Sequence, residues 1–392
     1  MYRNARNNFA ILILPVMGMA LFSVSVFAES SGNSPAPSYV ATGNPGAAKA
    51  FNPDVSVNFL GYARRGSNNS GQLIGRTSDV HDGFTFQEAE MQFFADVDPY
   101  FRANALFSLS PKEDVGLNHA VNPATPTGSP GFGLDPEEVF FESINLPMVA
   151  FRGGKFKAAL GKHNTLHTHA YPFVDAPLIN QDLLGGEGLN ETGVSAAVLV
   201  PVSWFMEATV QGLNNNNAVL YNSANSGDIT GVVQLRNLWD LSDDWTLEIT
   251  PFGTTGKNQY ASTSSLVGSD LIFKWRPAVG GKYNALIFAN EYMQGHIGGN
   301  PAGENLGGIA SWVQYQFAER WWVQGRGEFE GMNHSAGLPL KRKQSALLGF
   351  YPSEFSGFRL QYDHLVADNT TTEHAVTLQW NITIGAHPAH MY

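Results

Sequence analysis

The sequence contains no cysteine. That excludes a disulfide framework, thiol chemistry and a lipid-modified cysteine anchor. Charge is sparse: 15% of the residues are Asp, Glu, Lys or Arg, and 23 basic residues face 34 acidic ones, for a net charge of -11. A chain with that balance is a poor nucleic-acid binder. Past residue 28 no apolar run reaches the roughly eighteen residues of a transmembrane helix, so helical spans are not expected. Acids are missing from residues 1–28, where Arg3 and Arg6 precede an apolar stretch that closes on Val26-Phe27-Ala28. This is the pattern of a cleaved secretory signal. Its removal leaves a chain starting near Glu29 with 21 basic and 34 acidic residues. Residues 29–53, rich in Ser, Pro, Gly and Ala, read as a flexible periplasmic leader, and 54–392 as one folded domain.

What fills that domain is alternation with a period of two. In His374–Gly385, Val376, Leu378, Trp380, Ile382 and Ile384 alternate with Thr377, Gln379, Asn381 and Thr383. One face is apolar and the other polar, and a slip of one residue would exchange them. Segments of about ten residues with this pattern suit tilted strands crossing an outer membrane. Sixteen are expected, near 54–63, 84–97, 100–110, 137–146, 149–160, 191–200, 203–213, 230–239, 245–254, 266–276, 282–293, 308–317, 321–329, 343–351, 357–365 and 374–384. Alternation is blurred in 137–146 and 282–293. Long polar connections such as 111–136, 161–190 and 214–229 are expected to alternate with short ones such as Asp98-Pro99 and Ala318–Arg320 throughout.

The fold class expected is therefore all-β: a transmembrane antiparallel β-barrel of about sixteen strands, porin-like, in the outer membrane of a Gram-negative cell and in contact with its lipid and lipopolysaccharide. Trp204, Trp239, Trp245, Trp275, Trp321, Trp322, Tyr100, Tyr351 and Phe355 all sit near short turns, where they would form an aromatic girdle. A soluble β-sandwich gives no reason for that clustering. Sixteen strands enclose a water-filled channel. The stretch ahead of the first strand is too short for the plug domain of a TonB-type receptor.

The segment Gly161–Gly193 lacks strand periodicity and is rich in His, aromatics and acids. Dense long loops of this kind are usually functional. With DPYFRANALFSLS, DPEEVFFESINLP and GKFKAAL before it, LGKHNTLHTHAYPFVDAPLINQDLLGGEGLNETGV resembles a family of proteobacterial outer-membrane barrels akin to phosphate-selective porins. The resemblance runs from about Phe86 to Val200 and returns weakly in the tail. It implies that the third loop, 161–190, folds toward the lumen and sets selectivity, and that porins of this size form homotrimers. This loop carries one basic residue, Lys162, against Asp175, Asp182 and Glu187, which departs from the basic constriction of phosphate-selective members.

Face assignment places Lys155 and Lys157 in the lumen, because each would cost roughly 2–4 kcal/mol in the bilayer midplane, and Phe156 and Ala158 toward lipid. Arg102, Glu90, Arg326 and Arg359 join them as pore-lining candidates. The acidic excess of the lumen suggests a weak preference for cations. His163, His167 and His169, spaced H-x3-H-x-H, could meet as three imidazoles of the kind zinc favours. His387 and His390 read as periplasmic surface. The expected function is passive diffusion of small polar solutes or ions, without a cofactor. The alternative is a zinc-uptake receptor, some members of the resembling family being labelled zinc-regulated or TonB-dependent. A barrel hydrolase would need a Ser/His pair at the lipid-facing surface with an orienting polar group, and an enzyme is not expected.

Overall fold

A computed structural model describes residues 53–67, 82–111, 132–338, 340–368 and 371–385. The expected signal, the leader up to residue 52, and His387 and His390 lie outside the described residues. Sixteen antiparallel strands run β1 (Asp54–Gly66), β2 (Gly83–Asp96), β3 (Phe101–Pro111), β4 (Phe132–Ser143), β5 (Val149–Lys157), β6 (Asn190–Leu199), β7 (Phe205–Asn214) and β8 (Ile229–Asp240). They continue as β9 (Trp245–Lys257), β10 (Thr263–Trp275), β11 (Ala285–Ile297), β12 (Asn305–Ala318), β13 (Trp321–Met332), β14 (Lys341–Ser353), β15 (Ser356–Ala367) and β16 (Thr371–Gly385). Each pairs with the next, and β16 returns to β1 with Ile384 opposite Val57, so the barrel is closed. Hydrocarbon demands this, since an open edge would leave backbone polar groups unpaired at several kcal/mol each.

Alternation sorts the two faces. Leu348, Leu360, Tyr362, Val376 and Leu378 are exposed, whereas their neighbours Leu347, Gln361, Asp363, Thr377 and Gln379 are buried. Register sets Leu348 opposite Leu360 and Leu360 opposite Leu378, so the apolar rows join into one outward belt. Such a belt on a closed barrel fits the outer membrane. At the short-turn rim Trp204 stacks on Trp239 at 6.1 Å, and Trp245 lies 4.6 Å from Phe273. Two expected girdle members turn inward instead. Trp322 packs on a buried cluster of Phe173, Trp312 and Leu347. The ring of Tyr351 covers the inward side of Gly349 and Gly357, positions where a Cβ would meet it.

The blurred segments have identifiable causes. In β4 the register shifts by one residue, from Glu138 opposite Leu106 to Pro136 opposite Phe107, so Glu137 is an extra residue in a bulge. In β11 the inward row carries Ile287, Ala289 and Met293, buried under material that fills the lumen, while Asn290 bonds Ser311 across the next strand. Connection lengths do not alternate without exception. Strands β9 and β10 extend further than the pattern suggests, leaving only Asn258–Ser262 at the long-loop end, shorter than the Arg276–Asn284 turn at the other.

Placing a charge in the outward belt tests the faces. Leu378→Arg is expected to destabilise the barrel by about 2–4 kcal/mol in unfolding titrations from lipid vesicles. An unchanged unfolding midpoint would contradict the outward assignment of Leu378.

Candidate functional site

The lumen is occupied by the chain between β5 and β6. Its base is closed by the Ala158 N–H donating to the Leu189 carbonyl at 2.8 Å. Buried Asn164 then clamps the same two strands of the loop, donating to the Ala158 and Leu189 carbonyls and accepting from the Leu189 N–H. Single 3-10 turns form at His163–Thr165 and Thr168–Ala170, and a short helix, α1 (Leu178–Leu184), follows Pro177. Its Ile179 and Leu183, four apart, share a face, and Gly185 ends it at a φ of 83°, which favours glycine. The helix packs against β11, β12 and β13. Ile179, Leu183, Leu184 and Leu189 join Phe156, Phe252, Met293 and Leu306 in one buried cluster. Gly295 and Gly308 admit this approach, since a Cβ at either would strike Leu183 or Ile179.

An irregular backbone inside a barrel needs partners for its N–H and C=O groups. The wall supplies them as side chains. Gln211 and Gln234 accept from the Ala159 and Gly161 N–H groups at 2.9 and 3.0 Å, and Asp270 accepts from that of Lys162. Gln361 accepts from Val174 at 2.9 Å and Glu328 from Leu178 at 2.6 Å. In the other direction Arg359 donates to the Tyr171 carbonyl and Arg326 to the Asp175 carbonyl. The loop is thus tied to β7, β8, β10, β13 and β15 through main-chain groups alone.

Charge pairs reinforce the far wall. Asp175 meets Arg326 at 2.8 Å and also pairs with Lys343, and Asp182 pairs with Lys341, which lies 2.9 Å from Glu330. Burial would raise the Asp175 carboxyl, but Arg326 and Lys343 outweigh it and hold the group well below the usual carboxylate range. The guanidinium of Arg326 also lies 4.4 Å from the ring centre of Phe173.

The three histidines do not converge. His163 is buried against Tyr171, ring centres 4.4 Å apart and planes tilted by 33°, and burial, with Arg326 nearby, drives its pKa down to about 3, so it is neutral. His167 bridges two carboxylates, Nδ1 to Glu137 at 2.7 Å and Nε2 to Glu138 at 3.1 Å. Burial alone would lower its pKa; the two glutamates outweigh burial and raise it to about 10. His169 lies with Nδ1 2.6 Å from Glu90, its ring parallel to that of His167 at 6.2 Å. Glu137 and Glu138 were not expected at this site. The signal was the Glu137-Glu138 doublet that breaks the alternation of β4.

The remaining expected pore residues distribute as follows. Lys157, the last residue of β5, turns inward and donates to the Glu187 carbonyl at 3.3 Å, whereas the Glu187 side chain is exposed. Lys155 does not face the lumen. It stands opposite Val139 and Thr192, both outward and exposed, and its ammonium reaches the Pro136 carbonyl near the rim. Phe156 and Ala158, expected toward lipid, are 0% exposed and belong to the inner cluster, because the inward row here serves the loop. Arg102, half-buried, stands opposite Glu142, and Arg359 bonds Gln379 on β16. Lys162 is half-buried, and burial lowers its ammonium pKa, with Glu248 and Asp270 opposing the drop and Arg236 adding to it.

No known family model matches the chain. A sequence relative, an "Uncharacterized protein" of Aquifex aeolicus (strain VF5), is 26% identical over 408 residues, spanning 89% of this chain and 82% of its own length. Among solved structures, the anion-selective porin of Comamonas acidovorans superposes with a TM-score of 0.54 at 8% identity over 84% of this chain and 98% of its own. The loop L8 deletion mutant of OmpT, an outer membrane protein of Vibrio cholerae, gives the same values. The outer membrane channel DcaP of Acinetobacter baumannii gives 0.53 at 10% identity over 84% and 96%. At these identities the likeness establishes the fold of outer-membrane porins and channels, and goes no finer.

Two expectations follow from the ties. Asp175→Ala leaves Arg326 and Lys343 buried with their shared carboxylate gone, and is expected to cost about 3–5 kcal/mol in denaturant unfolding; a loss below about 1 kcal/mol would show the pairs to be dispensable. For His167 the folded pKa lies above the ordinary 6.5, so its contribution is complete below that value and lost as pH rises toward 10. The gap in thermal midpoint between the native chain and His167→Gln should be widest near pH 6 and close by about pH 10. A gap that is constant with pH would rule out the protonated bridge.

Proposed function

We propose that the protein is an outer-membrane channel for passive diffusion of small polar solutes, with the 158–189 loop narrowing the lumen, and that it favours anionic solutes. The observation that carries this reading is the inward loop tied to wall strands from β2 to β16, combined with the sign of the charge left accessible beside it. Along β3, β5, β8 and β10, Arg102, Arg152, Arg236 and Lys274 are half-buried, as is Arg276 just past the end of β10, and Lys162 of the loop joins them. The acids on the same side are Asp96, Glu142, Glu207, Asp240 and Glu248, with Glu187 on the loop; Glu142 pairs with Arg152 at 2.7 Å and Glu248 with Arg236 at 2.9 Å. Immediately around Lys162 the accessible basic groups Arg236, Lys274 and Arg276 exceed the one accessible acid, Glu248. In a narrow path of low dielectric, that excess concentrates anions. Transit needs no covalent chemistry, only binding weak enough to release.

Single-channel recording in planar bilayers tests both halves. Ohmic currents are expected, with a reversal potential in a KCl gradient that leans toward chloride. Deleting residues 162–187 should raise conductance, and Arg236→Glu with Lys274→Glu should move the reversal potential toward potassium. Absence of current would end the channel reading, unchanged conductance after deletion would end the constriction, and a potassium-leaning native channel would reverse the charge argument.

A further inference from the structure

Beside the loop, on the β2–β4 wall, lies a cluster that diffusion does not use. Glu90 of β2, Glu137 of β4 and His167 of the loop bring one ligand atom each to within 4.8 Å of the others, and all three residues are buried. The β4 bulge turns Glu137 inward beside Glu138, so two consecutive carboxylates reach the same imidazole. A second observation bears on the same point. Glu88, 8% exposed, faces Glu90 and Glu137 and has its Oε1 buried with no hydrogen-bond partner. Buried Glu88, Glu90 and Glu137 and half-buried Glu138 thus crowd together with Glu187 beside them, five carboxylates for which the neighbouring basic groups are His167, His169, Lys157 and Arg152. Burying an excess of like charge is costly unless a cation compensates it.

We propose that Glu90, Glu137 and His167 form a binding site for one divalent first-row transition-metal ion, which staples the loop to the wall. Carboxylate oxygens with an imidazole nitrogen suit zinc or a neighbouring ion better than calcium or magnesium, which take oxygen alone. On binding, the His167 Nδ1 gives the proton it shares with Glu137 to solvent and presents its lone pair to the metal, while Glu90 and Glu137 each give a carboxylate oxygen. Glu138 keeps its hydrogen bond to Nε2, fixing the ring, as carboxylates behind metal-bound histidines do. His169 stays on Glu90 and plays the corresponding part for that carboxylate. Glu88 lies at hand for a further position. This set differs from three imidazoles, because His163 packs on Tyr171 and is not among the converging ligand atoms.

The full-length protein, purified in detergent and stripped with a chelator, is titrated with zinc chloride by calorimetry. One zinc per chain is expected, with affinity falling at least tenfold in Glu137→Gln and in His167→Gln and unchanged in His163→Gln. X-ray absorption of the zinc-loaded native protein, which does not depend on any variant folding, should show a mixed oxygen and nitrogen shell containing one imidazole. No stoichiometric zinc, binding retained in Glu137→Gln, a shell of three imidazoles, or preference for calcium over zinc would each overturn the site. The readout is binding rather than current, so failure here is distinguishable from failure of the channel reading.

Discussion

Every buried backbone N–H and C=O must find a partner, and this constraint governs the interior. Strands satisfy it by pairing around the closed ring. The 158–189 loop, irregular apart from two single turns and α1, cannot, so the barrel wall answers with Gln211, Gln234, Asp270, Gln361, Glu328, Arg326 and Arg359. Each such bond is worth on the order of 1 kcal/mol net, but leaving a donor unpaired costs about 1–3 kcal/mol. These seven inward polar residues of β7, β8, β10, β13 and β15 are therefore committed to holding the loop. Their chemistry is structural before it is selective.

The same commitment explains why the inner face is not uniformly polar. Phe173 seats among Ile272, Ile287, Ala289, Ala310, Trp312 and Leu347, and α1 seats near Met293 and Leu306. In a barrel with an open lumen these apolar groups would face water; here they form the protein's core, assembled inside the ring with the loop as its centre. Burying such side chains contributes roughly 1.5–3 kcal/mol each. Apolar contact thus positions the loop where hydrogen bonds then fix its register.

Strand number, order and outward face were legible in the sequence, because a period of two over ten residues has one physical meaning beside hydrocarbon, as Val376–Ile384 shows. The inward face was less legible. The rule that charges avoid lipid correctly sends Lys157 inward but fails for Lys155, which sits near the rim where a long side chain reaches polar groups, and for Phe156, which serves the loop. Residues of the loop that matter were visible as a group, yet their partners were not: nothing local in the sequence links His167 to Glu137, thirty residues away, or Asp175 to Lys343 on β14. The helix α1 is too short for its periodicity to stand out.

Charge shows most clearly what a linear reading misses. Summing inward acids and bases along the strands gives an acidic lumen and a cation preference. Space changes the sum. Asp175, Asp182, Glu328, Glu330 and Asp363 lie against Arg326, Lys341 and Lys343 in contacts beneath the loop, so three cations offset much of that acidic charge within a few ångströms. Glu90, Glu137 and Glu138 lie against His167 and His169 in the cluster for which a cation site is proposed, so they too are engaged locally. In the proposed channel a solute would meet the remainder, which is basic immediately around Lys162, Arg236 and Lys274. In the channel proposed above, the sign of the field at the constriction would be set by which charges the loop leaves uncovered, so the loop would shape selectivity through what it neutralises as much as through its own side chains.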